Sequence, residues 1–171
     1  MLLIKNNIPA TEIKVDTNQQ AEIHGISFTV NNSKITIFNL YCPQDKSLSL
    51  QSLEIPPENC FAVGDFNSYS TCWGYEEKDQ RGEEVEDWQM ENRLLLLNDP
   101  EDPPNFYSRR WRSTSTPDLA FATADLSKKT TRRVLNQLGG SDHRPVKLVI
   151  NLQYRPQNSK TFPRWNYKRA K

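Results

Sequence analysis

Residues 21–41 constrain the fold more than any other stretch. From Ala21 to Val30 the chain alternates, with Ile23, Gly25, Ser27 and Thr29 on one side and Ile26, Phe28 and Val30 on the other. Lys34 to Tyr41 (KITIFNLY) is β-branched and aromatic, the composition of a strand. Asn31-Asn32-Ser33 lies between them as a turn, with Val30 and Ile35 on either side. The whole reads as a β-hairpin. A chain with this hairpin must build a sheet and cover at least one of its faces.

Further strands are expected at Leu2–Ile4, Glu12–Asp16, residues 60–66, Leu94–Leu97, Phe106–Trp111, Asp118–Thr123, Arg132–Leu138 and Pro145–Leu152. One stretch has a helical pattern, Arg81–Arg93 (RGEEVEDWQMENR). Its early acidic residues suit the helix dipole, and Val85, Trp88 and Leu95 form a narrow apolar stripe. Strands outnumber helices, so the class is α+β, with a β-sandwich or a large mixed sheet. A length of 171 residues suits one domain. The chain is polar, with 25% charged residues, but four Trp, six Tyr and seven Phe argue against disorder.

The net charge of +1 hides an asymmetry. Residues 151–171 hold six of the 22 basic residues and no acidic one, so the rest carries 16 basic against 21 acidic residues. Such a basic tail is either a nucleic-acid contact or a solvated linker. Two histidines and three cysteines without a CxxC pair are poor material for a zinc site. The odd cysteine count and the short apolar run at the N-terminus point to a reducing, intracellular setting without a secretory signal. No stretch approaches the length of a membrane helix, so no membrane partner is expected.

Three strand ends carry the chemistry. Cys60-Phe61-Ala62-Val63 is an apolar run that passes into Gly64-Asp65-Phe66-Asn67. A period of two would put Asp65 and Asn67 on one face, while an Asx-type turn is the plainer alternative. Thr116-Pro117-Asp118-Leu119 places a carboxylate at the start of an apolar strand, and Gly139–Pro145 (GGSDHRP) places Asp142 and His143 just before another. A fourth strand ends on Tyr41. Polar groups on several strand ends can converge on one edge of a sandwich. Phosphodiester cleavage needs such a convergence, because it requires a cation on the phosphate, an activated water and a proton-bearing group.

The phrases GDFNSYSTCWGY, RGEEVEDW, LLLLNDP, STPDLAFAT and QLGGSDHRPV, in this order, resemble the endonuclease/exonuclease/phosphatase superfamily. They are closer still to the endonuclease domain of jockey-type non-LTR retrotransposons. The resemblance implies a DNase I-like two-layer β-sandwich flanked by helices over residues 1–152, and a basic linker or disordered tail over 153–171 that leads towards a reverse transcriptase. It implies a Mg²⁺-dependent endonuclease, with Mn²⁺ as a substitute, that nicks target DNA in the nucleus. Asp65 would position or deprotonate the attacking water, and Asn67 would bond the phosphate. Asp142 would be a Mg²⁺ ligand. His143 would bind a scissile-phosphate oxygen with Asp118 orienting its ring, as a carboxylate orients a catalytic imidazole. A neighbouring anion would also favour protonated His143. Tyr41 would place its hydroxyl near the phosphate.

The family pattern also has strands ahead of Met1, bearing an Asn and the principal metal-binding Glu. Glu12 and Glu22 do not match those positions, so the resemblance implies a domain incomplete at its N-terminus, with weakened metal binding and an unpaired sheet edge. Arg109, Arg110 and Arg112 offer DNA phosphate contacts, or else form a solvated loop with Trp111 packed inward. Lys128-Lys129 and Arg132-Arg133 read as a plain exposed face. Two alternatives stay open. One is a same-fold phosphoesterase with another substrate, such as an abasic-site endonuclease or a phosphatase. The other is a non-catalytic remnant that binds nucleic acid.

Overall fold

The computed structural model describes residues 2–15, 21–48, 50–51, 53–136 and 140–152. The expected tail, 153–171, lies outside the described residues. A six-stranded sheet dominates, in the order β1-β2-β3-β4-β8-β5. Its strands are β1 (Ala10–Ile13), β2 (Glu22–Val30), β3 (Ser33–Tyr41), β4 (Cys60–Asp65), β5 (Leu94–Leu96) and β8 (Asp118–Thr123). Pairing is antiparallel except between β3 and β4. Two hairpins stand apart, β6 (Phe106–Ser108) with β7 (Ser113–Ser115), and β9 (Thr130–Val134) with β10 (Val146–Ile150). The helices are α1 (Gln80–Glu91) and the short α2 (Ala124–Ser127). The result is the sheet-rich α+β architecture expected from the sequence.

The sheet has two differently covered faces, because alternate residues of each strand point opposite ways. Ile23, Phe38, Leu40, Cys60, Ala62, Leu119 and Phe121 belong to one core, closed by Val85 and Trp88 of α1 and by Trp73. The loop after β3 adds Leu48, Leu50 and Leu53. Ile35, Phe61 and Ala122 belong to the second core, with Leu126 of α2 and with Leu148 and Ile150 of β10 packed against it. The hairpin β9–β10 is therefore a second, narrower layer. Helix α1 starts where Asp79 accepts a hydrogen bond from Gly82 N at 2.7 Å, an N-cap of the usual kind.

Several expected elements move. Residues 2–4 form no strand, and Leu3 is 80% exposed. The strand expected at 12–16 is β1, two residues earlier, fixed by Ile13 opposite Gly25. A Cβ at Gly25 would stand only 2.9 Å from that of Ile13, so the glycine sets the register. The strand expected at 106–111 stops at Ser108, since residues 109–112 turn the chain into β7. The strand expected from 132 begins at Thr130 and ends at Val134. Leu95 is exposed on β5, and Leu94 turns inward instead. Arg132 does not lie on an exposed face. Its side chain is 2% exposed and meets Asp102 Oδ2 at 2.6 Å.

Candidate active site

Three neighbouring strands end in one row. Tyr41 of β3 is opposite Asp65 of β4, and Asp65 is opposite Asp118 of β8. Gly64 makes this row possible. Its φ is +143°, and a Cβ there would stand 1.9 Å from the carbonyl oxygen of Leu40. Only glycine allows β4 to approach β3 so closely just before Asp65. The pairing then runs one step further, through Cys42 N to Asp65 O at 3.0 Å and Phe66 N to Pro117 O at 3.0 Å.

Asp65, Asp118 and His143 come together: one ligand atom from each lies within 4.8 Å of the others. His143 Nδ1 is 2.9 Å from Asp118 Oδ2, so Nε2 is left for a substrate oxygen. The imidazole packs edge-on against Phe106 at a centroid distance of 4.8 Å. These groups border a cleft of about 530 Å³ that also holds Tyr41 and Arg144 and runs between the sheet and β10. Tyr41 is 44% exposed at its edge. Glu22, opposite Tyr41 on β2, extends the row on an exposed position.

Asn67 is not on a continuing strand. The strand stops at Asp65, and Asn67 has a φ of +46°. Its N–H bonds Asp65 Oδ1 at 3.2 Å, which is the Asx turn rather than a shared strand face. Its Nδ2 donates to Cys42 O at 3.0 Å. Asn67 thus ties the ends of β3 and β4 together beside the cleft. The guanidinium of Arg81 reinforces this joint by donating to the carbonyls of Asn67, at 3.1 Å, and of Pro43, at 3.2 Å.

Asp142 stands apart from the carboxylate–imidazole group. Its Oδ1 pairs with Arg109 Nε at 3.1 Å, and its carbonyl accepts from Tyr107 N. Among the described residues, the group able to hold a cation is Asp65, Asp118 and His143. Arg109, Arg110 and Arg112 crown the turn of β6–β7, all exposed. Arg110 lies 4.7 Å over the Trp111 ring, which is 71% exposed rather than packed inward.

Two asparagines that no sequence pattern singled out hold Asp118 in place. Asn105 is fully buried. Its Nδ2 donates to Asp118 O at 2.7 Å, and its Oδ1 accepts from Asp118 N at 3.2 Å. Its own carbonyl accepts from Arg144 N at 2.7 Å, next to His143. Asn98 adds a second bond to Asp118 O at 3.1 Å and accepts from Ala120 N. Both asparagines stand in a Pro-rich stretch, where they read as turn residues.

Asp65 is half-buried, and burial pushes its carboxyl up to about 6. The Asp118 charge adds to the rise, while His143 and the amides of Asn67 oppose it. At pH 7 the carboxylate is ionised yet close to a value at which it can take up a proton.

Two predictions follow from this geometry. Asn105→Ala strips both backbone groups of Asp118 of a buried partner, and should cost about 2–3 kcal/mol in urea unfolding followed by circular dichroism. Unchanged stability would show that the clamp is dispensable. The second concerns pH. Folded Asp65 keeps its proton between about pH 4 and pH 6, where the unfolded chain has lost it. Its contribution to stability therefore falls as pH rises through that window. Asp65→Asn should match the wild type at about pH 3.5, at the foot of that window. At pH 8 in EDTA it should be more stable by on the order of 1 kcal/mol, after discounting for solvent screening. A wild type equally stable at both values relative to the variant would contradict the raised carboxyl.

Comparison with known proteins gives the family and the fold. The endonuclease domain of TRAS1, a telomere-specific non-LTR retrotransposon, superposes with a TM-score of 0.74 at 26% identity, over 89% of this chain and 71% of that one. The ferrous NO complex of Cimex nitrophorin gives 0.48 at 13% identity, over 82% and 62%, too weak a likeness to carry an argument. No curated protein sequence matches the chain. The endonuclease-reverse transcriptase family matches residues 35–147, from β3 to the start of β10. With the DNase I-like fold of the TRAS1 endonuclease around it and that match over more than half its length, the chain belongs to the endonuclease-reverse transcriptase family.

Proposed function

We propose that the chain is the endonuclease domain of a non-LTR retrotransposon and hydrolyses one phosphodiester bond of target DNA. The observation that carries this reading is the Asp118–His143 pair beside Asp65 in one open cleft. Asp65 accepts the proton of the attacking water. The water oxygen bonds to phosphorus as the bond to the leaving oxygen breaks, and the leaving oxygen takes its proton from solvent water. His143, its ring fixed by Asp118, donates through Nε2 to a phosphate oxygen, and fixed donors of this kind stabilise developing charge. Asn67 holds the Asp65 turn and offers its amide to the phosphate, and the Tyr41 hydroxyl lies at the rim.

The donor set fits a hard divalent cation. Mg²⁺ is commonly held by one or two carboxylates together with substrate phosphate, and the oxygens of Asp65 and Asp118 meet that need. Mg²⁺, or Mn²⁺ in its place, would supply charge neutralisation on the phosphate there. Asp142, which pairs with Arg109 on the surface, is the further carboxylate that the resemblance offers as a ligand. Arg109, Arg110 and Arg112 would contact DNA phosphates without reading sequence. The family's description supports a reverse transcriptase as partner in a longer polyprotein, and chromosomal DNA as substrate makes the nucleus the place of work. Among the described residues no helix is long and apolar enough to cross a membrane.

One observation favours a second reading. The group offers only two carboxylates, and one of them already engages His143. Metal affinity too low for turnover would leave a nucleic-acid-binding remnant. Nicking of supercoiled plasmid separates the two. The first reading predicts nicking with Mg²⁺, none with EDTA, and a loss of at least about 100-fold in His143→Ala. No nicking by a chain shown to be folded and to bind DNA would establish the second.

A further inference from the structure

The loop between β4 and α1 carries an aromatic pair that the hydrolytic group does not use. Tyr69 and Tyr75 stack with centroids 4.5 Å apart and planes 15° from parallel. Tyr75 is half-buried and tethered. Its hydroxyl accepts from Thr116 N at 3.2 Å, two residues before Asp118, and also bonds the Ser115 side chain. Tyr69 is 40% exposed, yet its backbone is held on both sides. Its N–H donates to Asp79 Oδ1 at 2.9 Å, and its carbonyl accepts from Asp79 N at 3.1 Å. Gly82 lets α1 press against that carbonyl, since a Cβ there would stand 1.8 Å from the oxygen.

An exposed ring on a fixed backbone loses little conformational entropy when a ligand covers it. Tyr75 backs one face of Tyr69. Gln44 lines the adjoining cavity of about 410 Å³ together with Asn67 and Tyr69, and a side-chain amide such as that of Gln44 is suited to the edges of bases. Asn67 also belongs to the Asp65 turn, so the ring flanks the hydrolytic group.

We propose that Tyr69, supported by Tyr75, is a stacking site for a nucleobase next to the scissile phosphate. The proposal rests on the DNA-cleaving reading above. Base–aromatic stacking tolerates any sequence, because every base has a π-face. The site therefore adds affinity and position rather than sequence choice.

The test is binding of a short single-stranded oligonucleotide carrying 2-aminopurine, in EDTA, as a function of salt. Tyr69→Leu keeps apolar bulk without the π-face, and Tyr69→Phe keeps the ring. Tyr69→Leu should weaken binding roughly 5- to 100-fold, with the salt slope unchanged because no phosphate contact is lost. Tyr69→Phe should stay within about twofold. The 2-aminopurine fluorescence should be quenched by the wild type and Tyr69→Phe but not by Tyr69→Leu. Binding and quenching indifferent to Tyr69→Leu would overturn the stacking site alone. A wild type that binds neither this oligonucleotide nor a duplex of the same sequence would overturn the functional reading and the stacking site with it.

Discussion

The buried amide of Asn105 is the joint on which the site depends. It grips both backbone groups of Asp118 and, through its own carbonyl, the residue after His143. Asp118 belongs to the main sheet and His143 to the segment entering the second layer, so one residue links the two layers, its side chain on Asp118 and its backbone carbonyl on Arg144. A buried amide whose nitrogen and oxygen both bond the backbone of one residue is held firmly, because any shift leaves polar groups unpaired in a low-dielectric interior. The 2.9 Å contact between His143 and Asp118 follows from that rigidity.

The remainder of the site is built by close approach of strands. Gly64 brings β4 against β3, and the row Tyr41–Asp65–Asp118 follows from register. Asp65 is placed where burial and the Asp118 charge both disfavour its ionisation. That placement weakens the fold above pH 6 and prepares the carboxylate to accept a proton, a familiar opposition between stability and function. Arg81 and Asn67 oppose the resulting tension by tying the loops after β3 and β4 to each other and to α1.

Much of this was legible in the residues. The hairpin over 21–41, the helix over 81–93 and the strands at 60, 118 and 146 have strong periodic or β-branched signatures, and they form close to the expected bounds. Asp65, Asp118 and His143 stood out because each is a polar group at the end of an apolar strand or just ahead of one. What escaped was set by tertiary contact. β7 is three polar residues that pair only because the turn at 109–112 folds them onto β6. Residues 2–4 look like a strand in isolation, yet no sheet edge among the described residues receives them. Arg132 reads as surface until Asp102 is brought to it. Asn98 and Asn105 look like turn formers, since nothing in their neighbours announces a strand that they will clamp. Asp142 carried the signal of a ligand through the SDH motif, and in the structure its exposed carboxylate pairs with Arg109.

The central claim is that ends of strands from two layers make one cation-binding hydrolytic centre. Paramagnetic broadening by Mn²⁺ tests it most directly, using the isotopically labelled chain and side-chain carboxyl and imidazole signals. The account predicts that Asp65, Asp118 and His143 broaden first and together. Broadening that begins at Asp142, or at the acidic residues of α1, with the Asp65 and His143 signals still sharp, would contradict it.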